Sequence, residues 1–153
     1  MAENEIRTLL AALTNGHILL PNSAVAEVMS YTQPEPFRQG PNWLLGELAW
    51  HGWQVPVICF EQIVNGKSRS SVTPKSRILI IKTLGESTQV NYIGLLIQGL
   101  PKLKTVKADT LHEIPDEDLP PTLFSKVGID GEEAVIPELS ELTLVVEQAA
   151  YGS

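Results

Sequence analysis

Apolar positions along the chain fall in short runs, and each run is closed by residues that favour turns. Ile6–Leu13 is rich in apolar residues and is followed by Thr14-Asn15-Gly16. Asn-Gly suits the positive φ angles of a tight hairpin, so His17–Leu20 is expected to return as the partner strand. Pro21-Asn22-Ser23 ends it, and Asn22 or Ser23 is placed to cap a short helical turn through Glu27. Val28–Tyr31 is apolar again. Pro34, Pro36, Gly40 and Pro41 make 33–42 an irregular loop. Trp43–Trp50 and Trp53–Cys59 read as strands joined at His51-Gly52, with Pro56 marking a strand edge or bulge. Phe60–Val64 fits one helical turn stopped at Asn65-Gly66.

Gly66–Pro74 is polar and reads as a flexible connection. Beyond it, Arg77–Thr83 holds Ile-Leu-Ile-Ile, a buried strand, and Asn91–Gln98 is another, with a turn expected at Gly85–Thr88. Thr105–Leu111 is a weaker strand candidate, and Glu113–Pro121 is an acidic, prolyl loop. Lys126–Ile129 and Glu133–Ile136 flank Asp130-Gly131, a second strong hairpin signal. Leu139–Glu147 is apolar and fits helix or strand. Many short strands at close spacing predict an all-β sandwich or barrel. The two halves, 6–66 and 76–148, share a grammar. In each, a hairpin turned at glycine leads into an apolar strand with a proline, Val55-Pro56-Val57 and Val135-Ile136-Pro137.

Composition narrows the function. The chain has 153 residues, enough for one domain or two small barrels with a shared core. Its net charge of −7 argues against nucleic acid and anionic membrane surfaces, where cations must neutralise phosphates. The charge is uneven: 67–107 holds eight bases and one acid, whereas 109–141 holds ten acids and one base. Such polarity suits docking in a defined orientation. Only one cysteine is present, Cys59, so no internal disulfide forms. No secretory or membrane-spanning apolar run is seen, and a cytoplasmic location is expected.

Enzyme chemistry finds little support. His17, His51 and His112 lack metal-ligand spacing relative to one another or to Cys59, and neither metal nor cofactor is expected. A Cys59–His51 nucleophile pair would be stretched over about 20 Å of strand. Glu113, Asp116, Glu117 and Asp118 lack a calcium-loop frame and are broken by prolines. Trp43 reads as core. Trp50 and Trp53 flank the His51-Gly52 turn, where aromatic residues often anchor an interface. The alternatives left open are a thiol enzyme at Cys59 and a β-barrel that holds a small apolar ligand.

Around the segment Leu20–Gly66 the chain resembles the CheW-like family of chemotaxis coupling proteins. The resemblance rests on His17-Ile18-Leu19-Leu20-Pro21, Val25-Ala26-Glu27-Val28, Trp43-Leu44-Leu45-Gly46, and the run Ala49-Trp50-His51-Gly52-Trp53-Gln54-Val55-Pro56-Val57-Ile58-Cys59-Phe60. Arg77–Ile81, Gly94–Leu100 and the closing hairpin through Leu139 extend it over nearly the whole chain. It implies a mostly-β fold of two small five-stranded SH3-like barrels packed together, with short helices and a hydrophobic groove between them. It implies a non-enzymatic adaptor that joins the cytoplasmic tip of a methyl-accepting chemoreceptor to the regulatory domain of a CheA-like histidine kinase. By position, Val25 and Glu27 fall on receptor contacts and His51 on an array-contact arginine. The expected partner-binding set is Val25, Glu27, Val28, Trp50, His51, Trp53, Val55 and Val57, with the four valines lining the groove. His51, Cys59 and Gln98 replace an arginine and two acids of the family pattern. That fits a divergent adaptor of the kind serving type IV pili and twitching motility.

Overall fold

Two turns with paired positive φ angles set the strand plan. His51 and Gly52 have φ 46° and 81°, and Asp130 and Gly131 have φ 50° and 80°. Positive φ at both central residues matches the right-handed twist of the flanking strands. The computed structural model describes residues 5–66, 71–83, 89–107, 109–116 and 118–152. The order is β1 (Ile6–Leu13), β2 (Gly16–Pro21), a single 3-10 turn (Asn22–Ala24), β3 (Val25–Ser30), β4 (Leu44–Trp50), β5 (Trp53–Ile58) and α1 (Phe60–Val64). It continues with β6 (Ser76–Lys82), β7 (Tyr92–Gln98), β8 (Lys102–Val106), β9 (His112–Glu113), β10 (Leu123–Ile129), β11 (Glu132–Pro137) and α2 (Leu139–Tyr151).

The strands form a six-stranded sheet, β8-β1-β2-β11-β10-β9, and a five-stranded sheet, β3-β6-β7-β5-β4. The two follow one plan. Each runs from a lone strand to a hairpin, crosses to a second hairpin by a parallel pairing, and continues into a helix. The parallel pairs are β7 with β5 and β2 with β11. The halves 6–66 and 76–148 both contribute to each sheet: β1–β2 join β8–β11, while β6–β7 join β3–β5.

The five-stranded sheet curls so that its edges approach. In the five-stranded sheet, Glu35 beyond β3 exchanges backbone hydrogen bonds with Glu47 of β4, at 3.0 and 2.8 Å. A side chain at position 46 would block this approach. A Cβ there would sit 2.5 Å from the Glu35 carbonyl oxygen, and the backbone holds φ +150°, so glycine is required.

Three apolar clusters result. One fills the five-stranded sheet's interior with Leu48, Val55, Val57, Ile78 and Ile80. A second fills the six-stranded sheet's interior with Leu10, Leu19, Val106, Val127, Ile129 and Ala134. The largest lies between the sheets, where Ala11, Ile18, Leu20, Ile58, Phe60, Leu79, Ile81, Ile93 and Leu95 meet Leu142 and Val146 of α2. Strands between two cores are buried on both faces, which is why Ile78–Ile81 is a continuous apolar run without alternation.

Some local expectations change. The turn at Asn22–Ala24 has no side-chain cap, and Glu27 lies in β3. Pairing of Val28 and Met29 with β6 outweighs the capping signal. The weak strand expected at Thr105–Leu111 sits earlier, as β8, where it pairs with β1. Pro56 lies opposite Glu47, next to the start of the β5–β7 pairing at Val57, where a missing N–H breaks no ladder bond. Leu139–Glu147 is helical because Leu139, Leu142 and Val146 form a stripe on the central core. The turn expected at Gly85–Thr88 falls outside the described residues, as do 67–70 of the Gly66–Pro74 connection and Glu117.

Candidate functional site

The end of the β4–β5 hairpin brings together aromatic and titratable side chains, with His51 and Trp53 exposed. Trp50 and Trp53 are cross-strand partners that close the hairpin. The positive φ at His51 turns its imidazole outward, leaving 68% of the side chain exposed. The Trp50 ring meets His51 edge-on at 4.8 Å and Tyr92 of β7 at 4.8 Å. Tyr92 also packs against Trp53 at 5.4 Å, so one tyrosine braces both indoles. Trp53 remains 43% exposed. The Trp50 indole nitrogen is buried and has no hydrogen-bond partner among the described residues.

Sheet closure adds an acid to this group. Glu27 of β3 and the turn after β4 belong to opposite edges of the strand order, yet His51 Nε2 lies 3.4 Å from Glu27 Oε1. The contact is exposed and long, and protonation of His51 would make it an ion pair. Glu27, Trp50, His51 and Trp53 are thus brought together, with Tyr92 beneath them.

The four valines part company with this group. Val25 and Val28 are half-buried at the margin of the central core. Val55 and Val57 are 0% exposed inside the five-stranded sheet, where they present no surface and instead fix the position of β5. Strand alternation puts them on the interior face, which a carry-over by position does not register.

Three contributors lie outside the set read from the sequence. Tyr92 sits just inside the strand expected from Asn91, and only the strand order brings it beneath the hairpin. The buried Glu61 of α1 accepts the backbone N–H groups of Thr14 and Asn15 at 2.6 and 2.7 Å, tying helix to hairpin turn. Tyr151, at the end of α2, donates a hydrogen bond to the Glu47 carboxylate and packs edge-on against Phe37. Burial raises the Tyr151 phenol well above its ordinary value, and the Glu47 carboxylate raises it further.

Elsewhere charge is paired at the surface. Asp116 is held below its ordinary value, and Lys126 above its own, by their 2.7 Å hydrogen-bonded contact. Lys104 is raised in the same way by Asp130 at 2.8 Å. Cys59 is buried, and its backbone N–H bonds the Trp43 carbonyl. Among the described residues, no group of three His, Cys, Asp or Glu side chains is arranged to hold a metal. Among them too, no helix is long and apolar enough to cross a membrane.

A mostly-β chain of two like-planned barrels that share a core matches the CheW-like domain over residues 7–147. The chain belongs to the CheW-like domain family. Among solved structures it is similar to the scaffolding protein TtCheW from Thermoanaerobacter tengcongensis, at a TM-score of 0.76 and 17% identity. That match covers 92% of this chain and 89% of the other, so the CheW-like fold extends over both molecules nearly end to end. No curated protein matches the sequence significantly.

Proposed function

We propose that this CheW-like protein is a non-enzymatic adaptor that couples chemoreceptors to a CheA-like histidine kinase, with pilus-based motility as its output. The observation that carries this reading is the family match along almost the whole chain, 7–147. The Trp50–His51–Trp53 end of the five-stranded barrel supports it. Partly exposed indoles braced from below anchor contacts at little entropic cost, because their rotamers are already fixed. An imidazole at position 51, which lacks the planar fork of a guanidinium, and the nearby Glu27 favour a partner face differing from one built to meet an arginine. Val25 and Val28 supply apolar surface at the margin of the same barrel.

The test is calorimetric titration of the purified protein with the regulatory domain of the CheA-like kinase from the same organism. The expected result is an affinity near about 1–100 μM. Trp53→Ala should weaken it by about tenfold or more, with an unchanged melting temperature. Cys59→Ser, a change inside the core, should leave the affinity of the folded protein unaltered. Absence of binding to that kinase and to the receptor tip would sink the adaptor reading.

A further inference from the structure

A cleft of 440 Å³ opens beside α1 at the margin of the central core, bordered by the β1–β2 turn and by β11. Its volume lies in the range of small-molecule sites, about 300–1,000 Å³. Leu13, Phe60, Val64, Ala134 and Val135 give it apolar walls. Its polar lining includes Glu61 and Glu133, and no described lysine or arginine lines it.

Glu61 is the unusual member. It is 9% exposed, yet among the described residues no cationic side chain pairs with it. Its carboxylate accepts two backbone N–H groups, one on each oxygen. About four acceptor positions exist on a carboxylate, so roughly half remain unused. A nearly buried carboxylate with no counter-ion is costly, and a cation brought beside it offsets that cost. His17 also lines the cleft, but its ring nitrogen lies 3.5 Å from Glu132, a third acid beside the site.

We infer that this cleft binds a small organic ammonium ion with an apolar body. The charged head would rest on Glu61, with Glu133 adding to the negative potential, and the body would lie against Phe60, Val64 and Val135. An anion is disfavoured by the carboxylates. A neutral apolar molecule would gain the walls but bring no cation to the Glu61 carboxylate. The site does not depend on the adaptor reading, since no residue of the Trp50–Trp53 face lines it.

The probe is benzylamine, an ammonium ion at neutral pH, compared with benzyl alcohol of nearly the same shape. Both are titrated into the full ¹⁵N-labelled chain. Amide shifts are expected at Asn15, Gly16 and 133–135, with benzylamine bound about tenfold more tightly than the alcohol and weakened by salt. Equal affinities would reduce Glu61 to a cap on the hairpin turn and overturn the proposal. So would shifts confined to other surfaces, or none at about 20 mM ligand, where sites weaker than that do not fill. Glu61→Gln, if folded by its amide dispersion, should abolish the preference for the amine. Should that variant unfold, the exposed Glu133→Gln decides: amine affinity should fall about two- to threefold at unchanged melting temperature, and an unchanged affinity overturns the site.

Discussion

The two barrels share one strand plan but are reinforced in different ways. The five-stranded barrel is sealed by backbone contact, with Glu35 against Glu47 across a glycine that leaves no room for a side chain. Its interior is equally tight. A Cβ at Gly94 would stand 3.0 Å from Ile78 Cγ2 and 3.2 Å from Val57 Cγ2. The six-stranded barrel adds the two-residue β9 at its edge and carries ion pairs on its surface, Lys104–Asp130, Lys126–Asp116 and Lys107–Glu5. One topology thus tolerates two kinds of reinforcement. Close packing resists salt and pH, whereas exposed ion pairs respond to both.

The largest effect should come from Gly46→Ala, which sets a Cβ against the Glu35 carbonyl and strains the backbone at once. A loss of about 2–4 kcal/mol is expected in urea unfolding. A loss below about 0.5 kcal/mol would show that the Glu35–Glu47 seal is dispensable. Next is Gly94→Ala, which overfills the interior by one methyl and should cost about 1–3 kcal/mol. Adding Val57→Ala should recover part of that loss, because the two side chains compete for one space. Strict additivity of the pair would break the claim of tight packing.

A smaller effect belongs to Tyr151, which ties the helix leaving the six-stranded barrel to Glu47 of the other. Its phenol is raised in the folded state, so its stabilisation is intact below about pH 10, the ordinary value, and is lost as pH climbs through the folded one. Melting temperature should drop from pH 9 to pH 11 in the wild type, and Tyr151→Phe should lose less over that interval. The smallest effect is that of Asp116. Its folded value is lowered, so its contribution is present above about pH 4 and fades as pH falls through the folded value. Lys126→Ala should reduce that acid dependence, leaving the share due to the Asp118 backbone N–H, and remove part of the salt dependence, with little change in melting temperature at neutral pH. An equally large salt effect from a change on the five-stranded barrel would dissolve the contrast.

Much of this architecture was legible in sequence because turn chemistry is local. His51-Gly52 and Asp130-Gly131 announced two hairpins, and the structure gives them almost the same pair of φ angles. The Asn15-Gly16 turn likewise placed β1 and β2. Pairings between distant segments were not legible. Nothing near Tyr92 says that it lies beneath Trp50, and nothing near Glu27 says that it meets His51. Both follow from strand order and sheet closure, which belong to the whole chain. The burial of Val55 and Val57 was hidden for a related reason. An apolar strand reads the same whether its faces meet a core or a partner, and only the second layer decides.

The order in which strands enter the two sheets has a consequence for synthesis. The chain begins one barrel with β1 and β2, builds the whole of the other from β3 to β7, and only then returns. The Thr8 hydroxyl waits for the carbonyl of Lys104, 96 positions later. The five-stranded barrel is therefore a guest seated inside its host, and can be complete on the ribosome while the host is still an unpaired hairpin. Until α2 emerges, the apolar face of that hairpin has no cover but the guest it has already helped to enclose.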